Sequence, residues 1–237
     1  MELREGIIVK TINYKENSKI IYLVTNEGLE SIEVKGANKL SGRSKIYANL
    51  LTNILFSLSK HFFQAGKVLN NYVNIKNDFD RLCYALSILD LSYTLIEHVN
   101  DFKVFYNFLH DILLLIDESD DYEFFYYVFF IKCLYLLGVQ PVLNKCVKCS
   151  KTENLKAFVL KDGGMKCHFC LSVNDVSIDD QNLLEAIYKM YYVKLDVLKD
   201  NVFYFDKFKL KEFIDSYYLE FLSYDSKADR IINSIKK

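Results

Sequence analysis

Residues 146–170 read CVKCSKTENLKAFVLKDGGMKCHFC, and the reading of this stretch decides the fold around it. Two Cys-x-x-Cys pairs, Cys146/Cys149 and Cys167/Cys170, are separated by seventeen residues, within the spacing of a four-thiolate zinc site. Each pair can turn both sulfurs toward one ion, and the intervening residues suffice for a short hairpin that returns the second pair to the first. Four sulfurs close a tetrahedron and leave no position open for water, so Zn2+ here is expected to be structural. Disulfides would need an oxidising compartment, whereas the chain opens Met1-Glu2-Leu3-Arg4-Glu5 with no charged-then-apolar signal segment. A thiol redox protein is a further alternative, but a thioredoxin-type pair needs one such motif beside a strand-helix-strand pattern, and here there are two. His168 stands between the last two cysteines and is expected to be a bystander, while Cys83 and Cys133 lie in apolar helical runs as small buried residues.

The chain has 237 residues, 51% hydrophobic and 26% charged, enough for a core and for two compact units. Its net charge of −1 hides an asymmetry. Residues 1–76 hold 11 Lys/Arg against 6 Asp/Glu, a balance of +5, which leaves −6 for the remainder. The longest apolar run, Phe124–Leu137, is fourteen residues with Lys132 inside it, and a membrane span needs about twenty. A soluble, cytoplasmic protein without a membrane helix is expected.

Turns crowd the front of the chain. Five of the eight glycines (Gly6, Gly28, Gly36, Gly42, Gly66) precede residue 70. Between them lie runs with strand character: Gly6–Ile12, Lys19–Thr25, Leu29–Lys35, Leu51–Ser59 and Val68–Ile75. Asn26-Glu27-Gly28 supplies a turn. Five short strands in about seventy residues predict a small closed barrel.

The connection between the third and fourth runs, residues 36–45, carries Lys39, Arg43 and Lys45, follows Lys35 and has no acidic residue. It is not a P-loop: five residues separate its glycines, and Arg43 stands where the lysine is needed. Its functional reading is a flexible cationic loop reaching for a phosphate backbone, with affinity from counterion release. A solvated hairpin loop is the competing reading on charge alone.

From Asp78 the period becomes helical. Phe79, Leu82, Leu86, Leu89 and Ile96 form a stripe of about five turns. A second helix is predicted over 102–116, and a third over 122–137 with aromatic residues on every face, so enclosed by protein. Gly138 and Pro141 stop it. After the cysteines, Ser177-Ile178-Asp179-Asp180 resembles a capping box for a helix with Leu183, Leu184, Ile187 and Met190 inward, and a last helix spans about 206–222. The cysteine stretch itself is basic: Lys145, Lys148, Lys151, Lys156, Lys161 and Lys166 face Glu153 and Asp162, a balance of +4 that metal and thiolates reduce to +2. A weakly cationic patch is expected there.

No Gly-x-Ser-x-Gly elbow, His-Glu-x-x-His or true P-loop is present, and His61, His98 and His110 stand without partners that chemistry would want. The chain is not expected to be an enzyme.

The order of parts now becomes recognisable. Gly6-Ile7-Ile8-Val9-Lys10, Thr25-Asn26-Glu27-Gly28 and Lys35-Gly36-Ala37, followed by Leu137-Gly138-Val139-Gln140-Pro141 leading into Cys146, resemble the RecO family of bacterial DNA repair proteins over nearly the whole chain. The chain departs from the family in having Asn38 and Leu40 where a more basic or proline-containing loop is common. The resemblance implies an α+β multidomain fold: an OB-fold barrel at 1–76, then an α-helical domain at 77–237 with a zinc finger inserted at 145–171. It implies a recombination mediator that binds single- and double-stranded DNA, anneals complementary strands, and works with RecR to load RecA onto strands coated by single-strand-binding protein. Lys35, Lys39, Arg43 and Lys45 would meet phosphates, with cytoplasmic, nucleoid-associated localisation. About four phosphate contacts would give a salt slope near −3 on single strands. A zinc-containing protein-protein adaptor with a purely structural barrel is the alternative.

Overall fold

The computed structural model describes residues 3–39, 42–59 and 62–226. Five strands, β1 (Arg4–Tyr14), β2 (Ser18–Thr25), β3 (Gly28–Lys35), β4 (Asn53–Ser59) and β5 (Phe62–Asn70), close a barrel in the order β1-β2-β3-β5-β4. All ladders are antiparallel except the closing contact, where β3 meets β5 in parallel at Glu33 and Phe62. This is the small closed barrel expected from the turn-rich front of the chain, with the five strands of the OB fold that the resemblance implies. Its interior is filled by Ile8, Ile21, Leu23, Ile32, Val34, Ile54 and Phe56, the inward set of four strands. A bulge between Ile8 and Lys10 bends β1, whose residues Arg4–Ile7 pair β4 while Gly6–Tyr14 pair β2. The β2–β3 turn closes on Gly28 at φ +121, where Thr25 Oγ1 accepts from Glu27 N and donates to the Gly28 carbonyl.

The fifth strand lies earlier than the β-branched run Val68–Ile75 predicts. It ends at Asn70, whose Oδ1 accepts the Tyr72 N–H, and Tyr72 at φ +44 starts the short helix α1 (Val73–Asn77). A local side-chain bond to the backbone overrides strand propensity at that point. The connection between β3 and β4 also differs from an open loop. Successive turns, Lys39 N to Gly36 O, Gly42 N to Lys39 O and Lys45 N to Gly42 O, lead into a 3-10 helix at Arg43–Ala48. Leu40 lies outside the described residues.

Two longer helices follow, α2 (Phe79–Thr94) and α3 (Phe102–Glu118). Asp78 and Asp101 cap them, accepting from Arg81 N and Val104 N. The buried face of α2 overlaps the predicted stripe only in part: Phe79 is exposed, Leu82 and Leu86 are half-buried and Leu89 is buried, while Cys83, Ser87, Ile88 and Leu91 are buried beside it, and Ile96 is buried in a separate 3-10 turn. Ser87 and Ser92 are tolerated inside because each hydroxyl donates to the carbonyl four residues back. Arg81 Nη1 donates to the carbonyls of Ile116 and Ser119, at 2.6 and 2.7 Å, satisfying the open end of α3.

The chain divides into two compact units, the first running through Tyr126 and taking in Ser226, the second being Tyr127–Asp225. This division differs from a domain boundary after residue 76. Helices α1–α3 stay with the barrel because Lys76 of α1 donates to Thr52 Oγ1 at 3.2 Å, Tyr106 of α3 donates to Glu5 Oε1 at 2.6 Å, and Lys10 of β1 lies 3.9 Å from the ring centre of Tyr93 in α2.

Helix α4 (Tyr122–Leu136) crosses from one unit to the next and, as its all-round aromatic character predicts, buries Phe124 through Ile131 without a break. In the second unit α4 is joined by α5 (Gln181–Tyr192), α6 (Leu195–Asp200) and α7 (Lys207–Leu222). Tyr218 of α7 donates to the Phe130 carbonyl, and Lys132 of α4 donates to the carbonyls of Tyr191 and Val193 at the end of α5. The cap of α5 is Asp180, which accepts from Leu183 N. Ser177 and Ile178, expected in a capping box, instead form β8 (Ser177–Ile178), the edge of a small sheet ordered β7-β6-β8 with β6 (Leu155–Val159) and β7 (Gly164–Cys167). Among the described residues no helix is long and apolar enough to cross a membrane.

Candidate metal centre and nucleic-acid interface

The β6–β7 hairpin carries the second cysteine pair back to the first. It turns at Leu160–Gly163, with Gly163 at φ +65. At Gly164 the backbone of Val142 comes so close that a Cβ would sit 2.6 Å from its carbonyl oxygen. That approach lets Val142 N donate to Gly163 O and Met165 N donate to Val142 O, and Val147 N donates to Met165 O. The loop of the first pair is thereby bonded to β7. Each pair then folds on itself: Ser150 N donates to Cys146 O, and Cys170 N and Leu171 N both donate to Cys167 O.

The outcome is that the sulfurs of Cys146, Cys149, Cys167 and Cys170 lie within 4.8 Å of one another. Cys149 and Cys167 are 3.7 Å apart. A tetrahedron with metal–sulfur bonds of about 2.3 Å has sulfur–sulfur edges of about 3.8 Å, so the donor set fits a single ion held by four thiolates. Cys146 and Cys167 are buried, Cys170 is partly covered and Cys149 is exposed. Burial works to raise the Cys146 thiol, but backbone N–H groups of Cys167, Cys149 and Lys148 directed at its sulfur outweigh that and bring it down to about 6. Cys170 is pushed up to about 12, first by its bond with the Cys167 sulfur and then by burial. A divalent ion bound by the four sulfurs displaces the protons they carry. His168 is not in the sulfur cluster; its N–H donates to the Asn154 carbonyl.

The charge around this centre differs from the weakly cationic patch read from residues 145–170. Lys166 is buried to 8% exposure, with its Nζ 2.6 Å from Asp162 and 2.9 Å from Asp175. Asp175 lies beyond the counted stretch and cancels one of its charges. Its carboxyl is held below the usual range by the Ser172 N–H and by Lys166.

Lys35, Lys39, Arg43 and Lys45 all expose their side chains on one rim of the barrel, where β3 ends and β2 and β5 begin. No carboxylate among the described residues makes an ion pair with any of them. The backbone beneath them is tied down. Ala37 is buried in the barrel core, Asn38 N and Nδ2 donate to the Asn17 and Ser18 carbonyls, and Tyr47 packs its ring 5.0 Å from Phe63. Gly42 passes so near the Gly36 carbonyl that a Cβ there would be 2.1 Å from it. Sequence reasoning missed Phe62, which is partly exposed at the start of β5 with Lys35 Nζ 3.8 Å from its ring centre. No local motif announces it, because the two residues meet only when the barrel closes.

The family model described as recombination protein O C terminal matches residues 76–222. A DNA repair protein RecO from Listeria innocua is 27% identical over 244 residues, covering 100% of this chain and 96% of its own length. Another from Listeria welshimeri is 28% identical, covering 93% of this chain and 89% of its own length. One from Halalkalibacterium halodurans is 24% identical, with 98% and 94% covered. With a closed barrel in front, a helical region behind and a four-cysteine centre within the matched residues, the chain belongs to the recombination protein O family.

Proposed function

We propose that the protein is a recombinational DNA repair mediator. It binds single- and double-stranded DNA through the barrel rim, anneals complementary strands, and helps RecR load RecA onto strands coated by single-strand-binding protein. The observation that carries this reading is the group of Lys35, Lys39, Arg43 and Lys45, four exposed cations that make no ion pair with a carboxylate among the described residues. Phosphates on a flexible strand can occupy such a rim, releasing counterions as they bind. Phosphate contacts carry no base information, so binding should be indifferent to sequence. The repair role named for the relatives in Listeria and Halalkalibacterium supports the same assignment. The work needs no bond making, and it belongs in the cytoplasm beside the nucleoid.

The ion of the four-cysteine centre is Zn2+ in this reading, and what it supplies is shape. Cys146, Cys149, Cys167 and Cys170 occupy all four positions and leave none for substrate.

The test is annealing of two complementary oligonucleotides without ATP, bare and coated with single-strand-binding protein, across a salt series. Acceleration that survives coating and fades with salt is the expected result. If the strands anneal no faster and the protein leaves DNA unbound at low salt, the rim has another use and the mediator assignment fails.

A further inference from the structure

Phe62 stands at the rim as a partly exposed aromatic residue beside the cations. Its neighbour Phe63 is the one packed toward the barrel core, against Tyr47. Phe62 is therefore not required to fill the interior, and its ring is covered by the exposed Lys35, whose ammonium lies 3.8 Å from the ring centre. An exposed cation–π contact is weaker than the stacking of a nucleobase on an aromatic ring. Lys35 can thus leave the ring to a base and turn its charge to an adjoining phosphate. Lys39, Arg43 and Lys45 follow in the same connection, with no acidic residue between 34 and 45 to repel the backbone.

We propose that Phe62 is a stacking platform for an unpaired base, making this rim discriminate single-stranded DNA from duplex. The inference rests on the reading of the protein as DNA-binding and adds the feature that the cations alone do not supply. Phosphates are present on both forms of DNA, so Lys35, Lys39, Arg43 and Lys45 attract either. The faces of paired bases are closed by their neighbours in the duplex and cannot reach a ring on the protein. Only a strand with free bases gains from Phe62.

The experiment is an anisotropy titration of the full chain against a labelled oligothymidylate and against a duplex of equal length, at one low salt concentration. Phe62→Ala should weaken single-strand binding about tenfold, within the range of one stacked base, and leave duplex binding within about twofold. Phe62→Tyr should restore the preference, while Phe62→Leu, which keeps bulk without a π face, should not. Equal losses on both DNAs, no loss on either, or a leucine variant equal to the tyrosine one would overturn the platform. Lys39→Ala/Arg43→Ala/Lys45→Ala separates this from failure of the underlying reading. If that variant loses both DNAs while Phe62→Ala changes nothing, the platform alone falls. If the parent protein binds neither DNA, the DNA reading falls and takes the platform with it.

Discussion

The barrel and the cysteine knuckle are both small β structures, yet they are held in different ways. The barrel closes on itself and buries Ile8, Ile21, Leu23, Ile32, Val34, Ile54 and Phe56, so its shape is set by many apolar contacts of similar weight. The knuckle has a sheet of three short strands whose buried apolar residues are Ala157, Phe158, Val159 and Met165, with Phe158 resting on Phe213 and Tyr217. Beyond that small core the two cysteine loops are held by backbone hydrogen bonds and, in the reading proposed above, by one ion on the four sulfurs. A distributed core loses stability by degrees. A single-ion site is lost in one step.

Metal removal should reveal that contrast most strongly, since structural zinc contributes about 10–16 kcal/mol of apparent binding energy at neutral pH. Chelation, or Cys149→Ser, should abolish amide-exchange protection over residues 142–178 while strands β1–β5 keep theirs. Uniform loss across both regions would show that the barrel also depends on the centre. Acid should act in the same direction, because falling pH returns protons to the four thiolates in competition with the ion.

Phe56→Ala is the converse test. Emptying a fully buried aromatic site should cost the barrel about 3–5 kcal/mol, read as a lower urea midpoint, with zinc stoichiometry unchanged. Coupled loss of zinc would break the separation between the two regions.

Smaller still is the stability effect of Lys39→Ala/Arg43→Ala/Lys45→Ala. These side chains are exposed, so the melting transition should move by no more than about 0.5 kcal/mol. The salt slope of single-strand binding should nevertheless flatten by about 2, for three lost phosphate contacts. An unchanged slope would move the DNA site off the rim.

The smallest effect concerns Lys132 in the second unit. Burial lowers this amine from 10.5 to about 8, although it donates to the Tyr191 and Val193 carbonyls. Between those two values the unfolded chain holds a proton that the folded chain has released. Stability from this group therefore rises with pH across that window and is flat below it. The rise should stay well under the roughly 1.4 kcal/mol per pH unit of a fully buried group, because Lys132 is only half-buried. Lys132→Met should remove the rise in urea midpoints, and a variant that keeps the parent's slope would assign it to another group.

The features legible in the sequence were those whose cause is local. Cysteine spacing indicated a four-sulfur centre, turn residues between short alternating runs indicated a barrel, and the aromatic run of α4 indicated a helix enclosed on every side. The caps Asp78, Asp101, Asp180 and Asp206 also act through bonds spanning two or three residues, although only Asp180 stood in a capping box expected from the sequence. Distant partners decided the rest. The stripe Phe79, Leu82, Leu86 and Leu89 has the right period for α2, but the face that is buried was selected by what packs against Cys83 and Ile88. The cationic patch read at the knuckle loses Lys166 to Asp175, nine residues on and across a turn. Lys35 and Phe62 are separated by twenty-six residues and meet only where β3 closes onto β5. The sequence by itself therefore determined the closed barrel, the long helices and which residues can hold a metal, because turn geometry, helical period and ligand spacing act over a few residues. The tertiary structure alone decided which faces are buried, which charges are cancelled and which aromatic ring stands among the cations, because those depend on side chains that share no local signal.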